Sequence, residues 1–195
     1  MLPNKRILVG TILLIVLQLV TASCGKEKKT LPFYDSETDT DTESITDSEV
    51  VDYDNDEYEI MGGESEISVP FIEKGSIKYV KVSINGHPFD MIIDTGCSGT
   101  LISVAEANYL YQKGCLTDED ILGTALSKIA DGSIVENMVV NLREVVIDDK
   151  ISFRNVNATV SANTGAPLLL GNEVLNRVPT YKIDNENKVI IFQIR

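Results

Sequence analysis

The sequence predicts an all-β domain over residues 67–195, closed or nearly closed into a barrel, with one or two short helices. Three observations carry that expectation. Short runs rich in Val, Ile, Leu and Thr, each of strand length, recur along this stretch. Turn-forming residues separate them. Only one segment keeps its apolar residues at helical spacing. A sheet built from so many short strands must protect its edges, and closure does so.

Residues 67–72 and 77–84 read as the first strands, and Asn85-Gly86 as a two-residue hairpin turn, the pair that tolerates the positive φ such turns need. Residues 89–93 return, and residues 101–103 are extended. Residues 104–113 form the predicted helix, with Ala107, Leu110 and Tyr111 at helical spacing, and a short helical turn comes next at 118–122. Strands resume at 124–130, 135–147, 151–160, 168–170, 180–183 and 189–194. Asp131-Gly132, Asp148-Asp149 and Asn185-Glu186-Asn187 supply the turns. The block shows no internal repeat, a point that matters for assembly.

The formal charge of −13, from 17 basic and 30 acidic side chains in 195 residues, is unevenly spread. Residues 1–30 hold five basic and one acidic side chain, residues 31–66 hold 14 acidic and no basic ones, and residues 67–195 hold 12 basic and 15 acidic ones. No basic surface is concentrated, so nucleic acid is not an expected partner. The hydrophobic fraction of 43% excludes wholesale disorder.

Lys5 and Arg6 precede an apolar run at 7–20, and Thr21-Ala22-Ser23 lead into Cys24, so residues 1–23 read as a bacterial secretory signal peptide. The run falls short of the roughly 20 residues of a membrane span. The placement of Cys24 resembles the lipobox of bacterial lipoproteins, which implies an acylated Cys24 and attachment to the cell membrane, facing outside the cytosol. Thr21 stands where Leu is usual, leaving ordinary cleavage or an uncleaved anchor as alternatives. Residues 24–66 read as an acidic, disordered tether whose few apolar residues are too scattered to build a core. Asp52, Asp54 and Asp56 alternate as in a calcium loop but lack the Gly and closing Glu that such a loop needs. No metal or cofactor is expected.

The sharpest local signal is the run 91–100, where an apolar strand delivers Asp94 into the turn Thr95-Gly96-Cys97-Ser98-Gly99. A carboxylate at the mouth of an apolar strand needs donors, a partner or a role. Gly96 permits close backbone approach, while Thr95 and Ser98 bring hydroxyls. A loop-capping Asp turn is the structural alternative. A second signal lies near the C-terminus, where Leu168-Leu169-Leu170-Gly171 leads into a short helix with Leu175 four residues beyond the glycine.

Together, Asp94-Thr95-Gly96, a glycine-tipped hairpin in the middle and the Leu-Leu-Gly near the end resemble the retropepsin-like aspartic proteases over nearly all of residues 67–195. The resemblance implies a retropepsin-like acid protease barrel, a single lobe that pairs as a dimer. It makes Asp94 the catalytic carboxylate and Thr95, Gly96 and Ser98 its support. Asp131 and Gly132 would tip a flap, and Leu169, Leu170 and Gly171 would form the strand-to-helix crossing beneath the site. Hydrolysis without a metal needs one group to accept a proton and another to donate one. Two adjacent carboxylates sharing a proton do both. With one Asp-Thr-Gly and no internal duplication, an active enzyme needs a homodimer, with a peptide or protein as substrate. An extended peptide would lie along the flap, the loop after Asp94 and residues 163–167. The alternative is a catalytically silent peptide-binding or scaffolding module on the cell surface.

Cys97 stands where related enzymes commonly carry Ala or Ser. Cys97 and Cys115 are either bridged or, as expected for two cysteines separated by a helix, free small hydrophobes. His87, the one histidine, is expected in solvent at a hairpin turn.

Overall fold

Alternating burial builds the walls of this fold. In the strand Ile77–Ile84 the buried positions are Val80, Val82 and Ile84. The same period of two buries Met138, Val140 and Leu142 in one later strand and Val156, Ala158 and Val160 in another. That is the pattern of a sheet with one face on a core. The computed structural model describes residues 29–32, 58–60, 65–128 and 131–194. The expected signal peptide, Cys24 and most of the expected tether lie outside the described residues.

In chain order the strands are β1 (Tyr58–Ile60), β2 (Glu66–Pro70), β3 (Ile72–Lys74), β4 (Ile77–Ile84), β5 (His87–Ile93) and β6 (Thr100–Ser103). Helix α1 (Val104–Gln112) and a 3₁₀ turn (Asp118–Asp120) come next. Then come β7 (Ile121–Lys128), β8 (Ile134–Ile147), β9 (Ile151–Ser161), β10 (Leu169–Leu170), helix α2 (Asn172–Leu175), β11 (Thr180–Asp184) and β12 (Val189–Gln193). Hydrogen-bonded neighbours run β9-β6-β10-β5-β4-β8, and β8 pairs back onto β9, so the path closes into a barrel. Strand β8 extends beyond that seam to pair with β7, while β1 and β3 hang from β9 and β4. Strands β11, β12 and β2 form a separate antiparallel sheet.

The expected architecture is therefore present, with local differences. Residues 67–72 make two strands rather than one, in different sheets: β2 pairs with β12 and β3 with β4. Pro70 closes β2, having no amide to donate, and Phe71 turns into the core as its amide bonds Lys188 O at 2.9 Å. The expected helical turn shortens to Asp118–Asp120, because Ile121 already pairs with Val140. Residues 129–130 of the expected strand 124–130 lie outside the described residues.

Helix α1 begins where predicted. Ser103 accepts from the amide of Ala105 at 3.0 Å as its N-cap, and Val104, Ala107 and Leu110 are buried. At the Asn85-Gly86 turn both residues have positive φ, 46° and 83°, the geometry that matches the twist of flanking strands.

Two pieces of the stretch expected as tether lie on the domain instead. Tyr58, Glu59 and Ile60 pair antiparallel with Phe153, Ser152 and Ile151, and Arg154 bonds Glu59 at 3.0 Å. Leu31 is fully buried in the core, with its amide donating to Asn108 Oδ1 on α1 at 2.9 Å. A single leucine between Thr30 and Pro32 gives no periodic signal, which is why the sequence pattern misses it. Leu31→Ala should lower unfolding free energy by about 2 kcal/mol in chemical denaturation. A midpoint equal to that of the parent chain would place residues 29–32 outside the cooperative unit.

Candidate active site

The site is built where β5 ends. β10 runs parallel to β5, with Leu169 opposite Ile92 and Leu170 opposite Ile93. The ladder continues past the strand, as the Asp94 amide donates to Leu170 O at 3.1 Å. Asp94 is thus fixed by main chain at the point where the strand opens into a turn. Its carboxylate accepts from the Gly96 amide at 2.9 Å, and its carbonyl accepts from the Cys97 amide at 3.2 Å. The carboxylate is half-buried, while Thr95, Gly96 and Ser98 are exposed around it.

The segment after β10 clamps this turn from below. The Asn172 amide donates to Cys97 O and the Glu173 amide to Ser98 O, both at 2.9 Å. The Asn172 side chain adds a third bond, Nδ2 to Thr95 O at 2.9 Å. Gly171 lies at the crossing: a Cβ there would stand 2.1 Å from Gly99 O and 2.6 Å from Cys97 O. No side chain fits such a gap, so glycine is required for steric reasons alone.

Beneath the clamp, Glu173 is mostly buried. It forms an ion pair with Arg177 one helical turn on and accepts from Thr100 Oγ1 at 3.4 Å. Burial pushes the Glu173 carboxyl above its ordinary range, while Arg177 pulls it down. Arg177 also donates to the carbonyls of Arg154, at 2.5 Å, and Asn155, at 3.1 Å, tying α2 to β9.

Asp94 faces a groove of about 670 Å³. One wall is the turn itself; the other is the β7–β8 hairpin, through Ser127, Lys128, Val135 and Asn137, with Asn163 at one end. Lys128 is the one cationic side chain among the described lining residues. A second hollow of about 880 Å³ lies behind the turn, between Tyr58 and α2, and Asp94 does not line it. Asp94 therefore marks the smaller groove as the candidate site.

Asp131 and Gly132 sit at the tip of the hairpin, as the sequence implies, but outside the described groove lining. Asp131 accepts from both the amide and hydroxyl of Ser133, at 2.8 and 2.7 Å, which lower its carboxyl. Gly132 adopts φ 88°. The hairpin exposes apolar surface, with Leu126 73% and Ile134 67% accessible.

Cys97 and Cys115 are both free. Burial raises the Cys97 thiol, the Asp94 charge raises it further, and the Gly99 amide partly offsets them. It stands as a neutral thiol beside Asp94. The structure brings Asp94, Gly96 and Leu169 to Gly171 together, and adds Asn172 and the Thr100–Glu173–Arg177 network, which the sequence reading does not single out. The i,i+4 spacing of Glu173 and Arg177 is legible on its own. The reach of Asn172 to a carbonyl far along the chain is not.

A family model described as gag-polyprotein putative aspartyl protease matches residues 80–177. No curated protein matches the chain. Among solved structures, a retropepsin-like aspartic protease from Rickettsia conorii is similar, with a TM-score of 0.47 and 20% identity over 71% of this chain and 94% of that one.

The crossing at Gly171 yields a stability test. Gly171→Ala should destabilise the domain by about 3 kcal/mol or more, since both obstructing atoms are backbone and neither can swing aside. A change below about 1 kcal/mol in denaturant unfolding would show that the crossing has slack.

Proposed function

Because the chain belongs to a retropepsin-like family, that of the gag-polyprotein putative aspartyl proteases, we propose that it is an aspartic endopeptidase whose active site is completed by two copies of Asp94 in a homodimer. The observation that carries this reading is Asp94 itself, fixed by main-chain bonds at the end of β5 and half-open to a groove of about 670 Å³.

The chemistry is set by the group that one chain lacks. A single carboxylate can accept a proton from water but cannot at the same moment protonate the scissile carbonyl. Two facing carboxylates hold one proton between them, because both cannot ionise easily at close range. The ionised one takes a proton from the attacking water, and the protonated one gives its proton to the carbonyl oxygen. The exposure of Thr95, Gly96 and Ser98 beside Asp94 supports a second chain covering that rim, with Thr95 of each copy bonding across the pair. The neutral Cys97 thiol adds no competing charge there.

On this reading the β7–β8 hairpin is the flap. Its exposed Leu126 and Ile134 would be covered when a peptide lies beneath it, with main-chain bonds setting the peptide's course and alternate side chains entering pockets. Residues 1–23 are proposed to direct export and Cys24 to carry the lipid anchor, holding the enzyme on the outer face of the cell membrane by the adjoining acidic stretch. Two anchored copies share one surface, which raises their effective concentration and favours pairing.

Asp94→Asn should abolish peptide cleavage while leaving the fold intact by circular dichroism. Mixed with parent chains, the variant should reduce activity roughly as the square of the parent fraction, since a mixed pair holds one ionisable Asp94. Undiminished cleavage by the variant would overturn the assignment, and a linear dilution curve would overturn the dimer. For the anchor, cells fed a labelled fatty acid should label the parent chain and not Cys24→Ala. Equal labelling of both would remove Cys24 as the acceptor.

A further inference from the structure

At the far end of β5 from Asp94 lies a second cluster of reactive side chains. His87, the first residue of β5, places Nε2 3.1 Å from Cys115 Sγ. Its other ring nitrogen, Nδ1, lies 3.3 Å from the hydroxyl of Tyr109 on α1, and the two rings meet edge-on with centroids 5.4 Å apart. Phe89 packs on the same tyrosine, at 6.2 Å. The arrangement has three parts: a sulfur nucleophile, a base within reach of its proton, and a group that orients the base. With Nδ1 carrying its hydrogen toward the tyrosine oxygen, Nε2 is left to accept the thiol proton. The thiol's other acceptor, Lys113 O, is farther away at 3.9 Å.

The surroundings hold this thiol in place and partly open to solvent. The carbonyl of Cys115 accepts from Asn85 Nδ2 and from Arg143 Nη2, each at 2.7 Å. Arg143 brings a guanidinium to the residue, shared with Asp120 at 3.6 Å. Cys115 and His87 are both half-buried, accessible without being loose. A partly exposed thiol within hydrogen-bond reach of a histidine is a setting in which cysteine reacts. Cys97 is the internal contrast, since burial and the Asp94 carboxylate keep its proton on.

We propose that Cys115 and His87 form a thiol-modification site, oriented by Tyr109, whose substrates are two-electron electrophiles and in particular hydroperoxides. His87 Nε2 takes the proton of Cys115, and the sulfur attacks one oxygen of the peroxide. An S–O bond forms as the O–O bond breaks. Sulfur is oxidised by two electrons to a sulfenic acid, and the departing oxygen takes the proton from His87, giving water or an alcohol. The site is separate from peptide hydrolysis and needs neither the dimer nor Asp94.

The test uses the reduced full chain and limiting iodoacetamide, quenched over time, with peptides quantified by mass spectrometry. Cleavage after Lys81, Lys113 and Lys128 puts Cys97 and Cys115 on separate peptides. Cys115 should alkylate about tenfold faster than Cys97, and His87→Gln should slow Cys115 about tenfold without changing Cys97. Equal rates at the two thiols, or a Cys115 rate indifferent to His87→Gln in a folded chain, would overturn the proposal. Should His87→Gln fail to fold, Tyr109→Phe takes its place and should slow Cys115 about threefold, with no change counting against the site. Hydrogen peroxide with dimedone should then trap a sulfenic acid on the Cys115 peptide, and absence of that adduct would overturn the oxidative step.

Discussion

The missing side chain at Gly171 is the constraint on which the rest of this molecule depends. Because two carbonyl oxygens of the Asp94 turn stand where a Cβ would be, the chain after β10 runs directly beneath that turn. Its next two amides then reach Cys97 O and Ser98 O. The turn is thereby held by backbone on two sides: the β5–β10 ladder positions Asp94, and the start of α2 supports Cys97 and Ser98. The groove, the exposed rim and the hollow behind the turn all take their shape from that crossing.

Main-chain support has an electrostatic meaning. The Asp94 carboxylate is met by the Gly96 amide within its own turn, and Lys128 is the one cationic side chain among the described residues that line its groove. The partly buried ion pair of Glu173 with Arg177 lies beneath the turn and spends its other hydrogen bonds on Thr100 and the carbonyls of β9. Charge that stabilises the scaffold is kept apart from charge that can do chemistry. An arginine drawn against Asp94 would hold it ionised at the expense of proton sharing.

The barrel and the Asp94 turn were legible because each rests on local pattern. Alternation marks β4, β8 and β9, Asn85-Gly86 fixes a hairpin, and Ala107 and Leu110 mark the buried face of α1. The contacts that stayed hidden depend on distance along the chain. Asn172 meets Thr95, Leu31 meets Asn108, and His87 meets Cys115 only because the barrel closes. His87 is the clearest case: a lone histidine at a hairpin reads as a solvated residue, yet α1 and the loop after it fold back over its ring. Residues 58–60 were hidden for another reason, since their acidic surroundings outweigh a three-residue strand in any composition window.

Barrel closure also divides the fold by entropy. The seam between β8 and β9 joins sequence neighbours through the short turn at Asp148 and Asp149, so closing it encloses almost no loop. The contact that seats Asp94 is of the opposite kind, pairing Ile92 with Leu169 across most of the domain. Loop-closure entropy grows with the chain enclosed. The β8–β9 hairpin is therefore nearly self-sufficient, while the site exists only once everything between its two halves has been ordered, which makes the Asp94 turn a readout of the integrity of the whole domain.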